Sequence, residues 1–181
     1  WQSWFYNSTF WKNKNIKHIA IIMDGNRRYA KKNHMPTIWG HEKGAQKLRD
    51  VIGWCLDLGI KELTLYTFSM QNFNREEKEV QGLFDLFYKH FDKLKEDKGI
   101  FKNKIRVKVA GRKHLFPERL QKAIQEIEDL TKEHDNLIMN FAMAYGGREE
   151  IVDAAKRIAE EVKFNDISVE EVDENLFAQK L

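Results

Sequence analysis

The sequence is poor in the features that mark several protein classes. Its 181 residues hold a single cysteine, Cys55, so no disulfide can close within the chain, and a reducing, cytoplasmic setting is expected. No run of eighteen apolar residues occurs, which excludes an apolar membrane-spanning helix. The formal charge is only +3, and the dense basic stripe of a nucleic-acid binder is absent. No histidine, cysteine and carboxylate spacing suits zinc, and no serine sits in a nucleophile elbow, so hydrolase chemistry is disfavoured. The glycines are spaced neither as a P-loop nor as a dinucleotide fingerprint. The opening WQSWFYNSTFW lacks the apolar core of a signal peptide. It begins on Trp1 rather than methionine, which points to a longer gene product or a removed tag.

What is present reads as one globular domain. Apolar residues make up 42% and charged residues 33% of the chain, an ordinary balance, and the length suits one core rather than two. Residues 1–15 form an aromatic arm, either packed on the domain or touching a membrane surface or greasy substrate. From residue 16 strands and helices alternate. Residues 19–23 are a continuous apolar run, expected of a strand covered on both faces. Residues 40–58 repeat apolar positions at helical spacing and stop at Gly59. A second buried strand spans 63–68, and Val80, Leu83, Phe84, Phe87, Phe91 and Leu94 mark one face of a long helix. Residues 105–110 alternate, as in a strand covered on one side. Pro117 opens a helix through His134, 137–142 is a fourth strand, and 147–162 is helical. Ser168 and Glu171 suggest a capping box for a last helix. This α/β alternation predicts a parallel sheet flanked by helices.

Ligands of such sheets gather beyond the carboxyl ends of the strands, which selects 24–28, 69–75, 111–114 and 145–148. In the first, Gly25 allows a sharp turn, Arg27 and Arg28 supply forked donors for phosphate, and Asp24 suits a Mg2+ held between carboxylate and diphosphate. A solvated turn with a helix-capping aspartate fits the same residues. The second segment adds Ser69, Asn72 and Arg75. His41 stands at the start of the first long helix, as a cap or as part of a site. The aromatic face with Phe84, Phe87, Tyr88 and Phe91 reads as core by default, or as the lining of a cavity for a long hydrocarbon.

Four segments together, HIAIIMDGNRRYAKK (18–32), GHEKGAQKL (40–48), LTLYTFSMQNFNREEKEV (63–80) and AYGGREEI (144–151), resemble the cis-prenyltransferases, the family of undecaprenyl and dehydrodolichyl diphosphate synthases. The likeness runs from about residue 16 to the end, and NRRYAKK with Phe73 is similar to the eukaryotic and archaeal branch. The resemblance implies a parallel-sheet fold with a hydrophobic tunnel. It implies condensation of isopentenyl diphosphate onto an allylic diphosphate, farnesyl diphosphate or a relative, with loss of diphosphate and of a proton and a new cis double bond. Mg2+ is the implied cofactor and a homodimer the implied assembly, with peripheral membrane contact as a further expectation and no nucleic-acid partner. Asp24 matches the metal-handling aspartate. Gly25, Asn26, Arg27 and Arg28 match the loop that grips the primer's diphosphate. Asn26, His41 and Ser69 fall on positions implicated in handling the isopentenyl substrate and its proton. Asn72, Phe73 and Arg75 match the second loop, Glu79 the loop-to-helix segment, and Leu137 falls near the tunnel's far end.

Some positions depart from the family pattern. Thr37 stands where bacterial members have an arginine, and Ala144 where many have asparagine. The family's C-terminal segment, with an arginine-rich motif for isopentenyl diphosphate, is expected to follow Leu181. The expectation is therefore that residues 16–181 are a C-terminally incomplete catalytic domain, inactive alone and active within a longer homodimer. Two rivals stay open: a non-catalytic subunit of a heteromeric prenyltransferase, and an α/β module binding another phosphate ligand.

Overall fold

The computed structural model describes residues 16–181, so the aromatic opening read as an arm lies outside the described residues. Strands and helices alternate in the order β1 (His18–Ile22), α1 (Asn26–Lys32), α2 (Thr37–Asp57), β2 (Glu62–Ser69), α3 (Glu77–Leu94), α4 (Lys98–Lys102), β3 (Ile105–Ala110), α5 (Glu118–Thr131), β4 (Leu137–Tyr145), α6 (Gly147–Lys163) and α7 (Glu174–Lys180). Short 3-10 turns cover Met70–Asn74, Lys113–Leu115 and Val169–Glu171.

The four described strands are all parallel, in the order β1-β2-β4-β3. Neighbouring β1 and β2 deliver their carboxyl-end loops side by side, whereas β4 lies between β2 and β3. One sheet face carries Leu63, Leu65, Ile105, Val107, Leu137 and Met139, all at most 1% exposed. Helix α3 adds Leu83, Phe84 and Phe91 to this core, and α5 adds Leu120, Ala123, Ile124 and Ile127. Burial of each large apolar side chain contributes about 1.5–3 kcal/mol, so this face carries most of the fold's stability. Phe68 sits at the centre of an aromatic cluster, with Phe73, Phe84, Phe87 and Phe116 ring centroids 4.9, 5.8, 5.9 and 6.1 Å away.

Strand β1 departs from expectation. It is an edge strand whose residues alternate between half-buried and exposed, and Ile22 is 73% exposed. Ile19 and Ile21 pack on the core, while the opposite face of β1 is open among the described residues. A short apolar run does not reveal whether one face or two are covered. Helix α2 begins a turn earlier than read, behind Pro36, and α5 stops at Thr131 rather than His134. Gly59 ends α2 at φ 70° as expected. The Ser168–Glu171 capping box exists, but it closes the 3-10 turn; α7 is capped by Asp173, whose carboxylate accepts from the Leu176 N–H at 2.8 Å. The short helices α1 and α4 carry no extended apolar periodicity, so the apolar pattern does not mark them; only the capping aspartate reading of Asp24 points to a helix start near α1.

Candidate active site

Beyond β1 the chain turns at Gly25, whose φ of 87° needs a residue without Cβ strain. The Gly25 N–H donates to the Asp24 carboxylate at 2.5 Å, and Arg28 donates to its other oxygen at 2.8 Å. Asp24 and Arg28 are both largely exposed at the rim of a crevice. Its walls come from Asp24–Arg28, from Lys31, and from the 34–37 corner, with His41 and Arg75 opposite. The crevice holds about 900 Å³. Arg27, Arg28, Lys31 and Arg75 line it against one lining carboxylate, that of Asp24, so its charge is net positive and favours an anion.

Glu79, on the first turn of α3, braces the inner wall. One of its carboxylate oxygens lies 3.0 Å from an Arg75 terminal nitrogen, 3.5 Å from Arg27 Nε and 3.6 Å from His41 Nε2. The last separation is longer than a hydrogen bond, and His41 Nε2 is buried without a hydrogen-bond partner. Burial pushes the His41 pKa below the usual imidazole value, the Arg75 charge adds to this, and Glu79 opposes it. His41 is therefore neutral near pH 7, with a ring nitrogen available to accept a proton or a hydrogen bond.

Asn26 is held by close approach of α1 and α2. A Cβ on Gly40 would lie 2.2 Å from the Asn26 carbonyl oxygen, and one on Gly44 2.6 Å from Asn26 Oδ1. The two glycines of GHEKG, one helical turn apart, are thus what lets α2 pack over the Asn26 backbone and side chain.

A second cavity of about 730 Å³ runs between α2 and α3 over the sheet. Ala45, Leu48, Ile52, Leu83, Phe87 and Phe91 give it an apolar wall, and Gly99, Asn103 and Ile105 line its far part. Met23, Asn26 and His41 line both this cavity and the basic crevice. The two spaces therefore meet at those three residues.

The sequence-derived candidates fall into two groups. Asp24, Gly25, Asn26, Arg27, Arg28, His41 and Arg75 converge on the crevice. Ser69, Asn72 and Phe73 line neither space. Ser69 is the N-cap of the 3-10 turn, its N–H donating to Asn72 Oδ1 at 3.0 Å, and Phe73 packs against Phe68 in the aromatic core. These three shape the loop that presents Arg75. Of the aromatic face of α3, Phe87 and Phe91 line the cavity, Phe84 belongs to the core, and Tyr88 lies 4.1 Å beneath the Arg119 guanidinium. Leu137 is fully buried in the core and does not line the cavity. The other two strand-end segments are structural: Arg112 pairs with Asp153 at 2.6 Å, Lys113 with Glu128 at 2.9 Å, and the Tyr145 hydroxyl donates to Glu150 at 2.5 Å. Two residues were missed from the residue pattern alone: Lys31, one helical turn from Arg27, and Met23 at the junction. Helical spacing was the signal for the first.

Among the described residues no three carboxylate, histidine or cysteine side chains cluster as a protein-only metal site. Asp24 offers one exposed carboxylate at the crevice, which fits an ion such as Mg2+ that takes its other ligands from phosphate and water. No described helix is long and apolar enough to cross a membrane.

The prenyltransferase family model of undecaprenyl diphosphate synthase matches residues 22–181. A tritrans,polycis-undecaprenyl-diphosphate synthase (geranylgeranyl-diphosphate specific) from Pyrococcus horikoshii is 47% identical over 165 residues, which are 91% of this chain and 62% of the relative. Its namesake from Archaeoglobus fulgidus is 44% identical over 164 residues, 91% of this chain and 65% of the relative. The chain thus spans less than two thirds of the length of these relatives. The structure of lavandulyl diphosphate synthase from Lavandula x intermedia in complex with dimethylallyl diphosphate superposes with a TM-score of 0.82 at 35% identity, covering 91% of this chain and 70% of that one. That of a probable undecaprenyl diphosphate synthase from Campylobacter jejuni gives 0.71 at 28%, covering 93% and 70%. The parallel sheet with its flanking helices, the order of the motifs and these matches agree: the chain belongs to the undecaprenyl diphosphate synthase family of prenyltransferases.

Proposed function

We propose that this chain provides the catalytic face of a cis-prenyltransferase that adds isopentenyl diphosphate to an allylic diphosphate and lengthens a polyprenyl chain. The observation that carries this reading is the junction at Met23, Asn26 and His41, where a basic crevice opens directly into an apolar cavity. A diphosphate head on a hydrocarbon tail fits that pair of spaces; a nucleotide, polar at both ends, does not fit the apolar half.

Arg27, Arg28, Lys31 and Arg75 are suited to hold diphosphate oxygens. Mg2+ bound at Asp24 would add positive charge where diphosphate leaves. In the reaction the allylic C–O bond breaks and its electron pair departs with the diphosphate. The π pair of isopentenyl diphosphate forms the new C–C bond, and a proton leaves the adjacent carbon. The Asn26 amide and neutral His41 stand at the junction, where the amide can orient the second substrate and the imidazole can receive that proton. Ser69, Asn72 and Phe73 act in this scheme by fixing the loop that carries Arg75. The names of the archaeal relatives make geranylgeranyl diphosphate the first primer to test, ahead of farnesyl diphosphate. A homodimer remains part of the proposal.

The test is a condensation assay on the gene product that carries these residues, with labelled isopentenyl diphosphate, Mg2+ and primers of graded length. Organic-extractable label is expected, and Asp24→Ala is expected to lower turnover at least about a hundredfold, the scale of removing one electrostatic stabiliser. Extractable label that is unchanged by Asp24→Ala would refute the role given to Asp24. Mg2+-dependent retention of geranylgeranyl thiodiphosphate in preference to ATP separates this reading from a nucleotide-binding module.

A further inference from the structure

The apolar cavity between α2 and α3 has a charged side that prenyl transfer leaves without a role. Gln46, Arg49, Lys89 and Lys93 are exposed to solvent and yet line it. The cavity therefore reaches the surface a second time, between the two helices. Arg49 follows His41 by eight residues on α2, about 12 Å along the axis, so this side mouth is distinct from the Met23, Asn26 and His41 junction. Three cations, Arg49, Lys89 and Lys93, line it against two carboxylates, Glu42 and Asp97. Glu42 pairs with Lys89 at 3.1 Å. Asp97 lies 3.9 Å from Arg49 and accepts the Gly99 N–H at 2.8 Å. Lys93 pairs with no carboxylate among the described residues. His90 also lines the cavity; burial, and then the Lys89 and Lys93 charges, hold its pKa below the usual imidazole value. Just inside, Leu48, Ile52, Phe87 and Leu94 turn the wall apolar.

We propose that this side mouth is a second ligand site, for a single-chain amphiphile whose anionic head rests at Arg49, His90 and Lys93 and whose tail fills the cavity. An apolar space with a few polar groups at its opening is what such a molecule needs. A carboxylate or a phosphate head suits the forked donors of Arg49 and the point charge of Lys93 equally. A free phosphate or a nucleotide gains nothing from the apolar wall. A fatty acid and a polyprenyl monophosphate share the required chemistry. The tail takes the space proposed for the growing chain, while the head stays out of the basic crevice. Bound ligand thus arrests elongation without contesting the diphosphate position. That consequence rests on the prenyl-transfer reading; the binding itself rests only on the cavity and is measured without turnover.

The test is titration of cis-parinaric acid, a fatty acid that fluoresces when its tail leaves water, into the gene product that carries these residues. Saturable fluorescence is expected, and saturating inorganic pyrophosphate with Mg2+ is expected to leave the probe bound. Arg49→Ala with Lys93→Ala is expected to weaken binding about tenfold or more, Lys93→Arg to preserve it and Gly53→Phe to abolish it. Circular dichroism and thermal midpoint confirm that each variant is folded. Oleate is expected to displace the probe at a concentration about tenfold or more below that of oleyl alcohol, which lacks the charge. Undecaprenyl monophosphate is the second competitor; displacement by either anion supports the site, and the more potent one identifies the source of the head. Release by pyrophosphate would overturn the proposal, because the head would then sit in the basic crevice. Equal binding by wild type and variants, or equal potency of oleate and oleyl alcohol, would overturn it too. Probe binding without condensation removes only the prenyl-transfer reading, and condensation without probe binding removes only the second site.

Discussion

Glu79 and His41 show how one carboxylate sets the chemistry of a basic wall. Arg27, Arg75 and His41 all lie within 3.6 Å of the same Glu79 oxygen. Removing that charge while keeping the shape leaves His41 facing two arginines with no counterweight. Burial and Arg75 already hold the His41 pKa below 6.5, and Glu79 is the main influence raising it. Glu79→Gln is thus expected to depress the His41 titration further, a shift visible in the ring-proton chemical shift by NMR. The sign for stability follows from linkage. A histidine whose folded pKa lies below its unfolded value binds protons preferentially in the unfolded chain. Its contribution is complete above about pH 6.5 and is lost as pH falls through the depressed folded value. His90, also lowered chiefly by burial, acts in the same window. Replacing His41 by Gln is therefore expected to flatten, not abolish, the fall in urea stability between neutral and mildly acid pH. A His41 titration above 6.5 would contradict the geometry.

Within α2 two glycines have opposite meanings, and the element explains why. Gly40 lies where α1 crosses, and a Cβ would meet the Asn26 carbonyl oxygen at 2.2 Å and the Ala30 methyl at 2.9 Å. Gly53 lines the cavity, with nothing within 4 Å of an added Cβ. Gly53→Ala is expected to stabilise the chain by about 0.5–1 kcal/mol, the ordinary helix-interior gain. Gly40→Ala is expected to cost about 2 kcal/mol or more through backbone overlap and to weaken pyrophosphate binding as Asn26 is displaced. Thermal melts and calorimetric titration of the two variants check the contrast. The amphipathic α3 and the buried β2 and β4 were legible from periodicity, because their apolar faces repeat at the period of the element. Which faces of β1 are covered was not, since an apolar run looks alike on an edge and in the middle of a sheet. That the Asp24 and Arg75 loops share one crevice was legible from their places at strand ends. The Glu79 hub was not, because Arg75 and Glu79 four residues apart also read as an ordinary helix-side ion pair. Its true partners, Arg27 and His41, lie far away in sequence.

At the scale of the molecule, strand order turns two loops and two helices into one passage. Because β1 and β2 are neighbours, the Asp24 loop and the Arg75 loop share the crevice, and α2 and α3 flank the cavity that leaves it. An ion pair between Glu42 and Lys89 at 3.1 Å ties those helices across the cavity's outer side, and Arg49 lies 3.9 Å from Asp97, the N-cap of α4. If the cavity is the path of a growing hydrocarbon, position along α2 becomes a ruler. Ala45 lies one helical turn beyond His41 and Gly53 two turns further, about 12 Å along the axis, and both line the cavity. A phenylalanine at either position narrows the same space at a different depth. Ala45→Phe is accordingly expected to stop elongation earlier than Gly53→Phe, and both earlier than wild type, with the order read from chromatography of dephosphorylated products. Shortening that is equal at the two depths, or confined to Gly53→Phe, would mean that the chain leaves the junction by another route. The ordering is the informative outcome, because a general loss of stability lowers the yield of every product without sorting their lengths by depth.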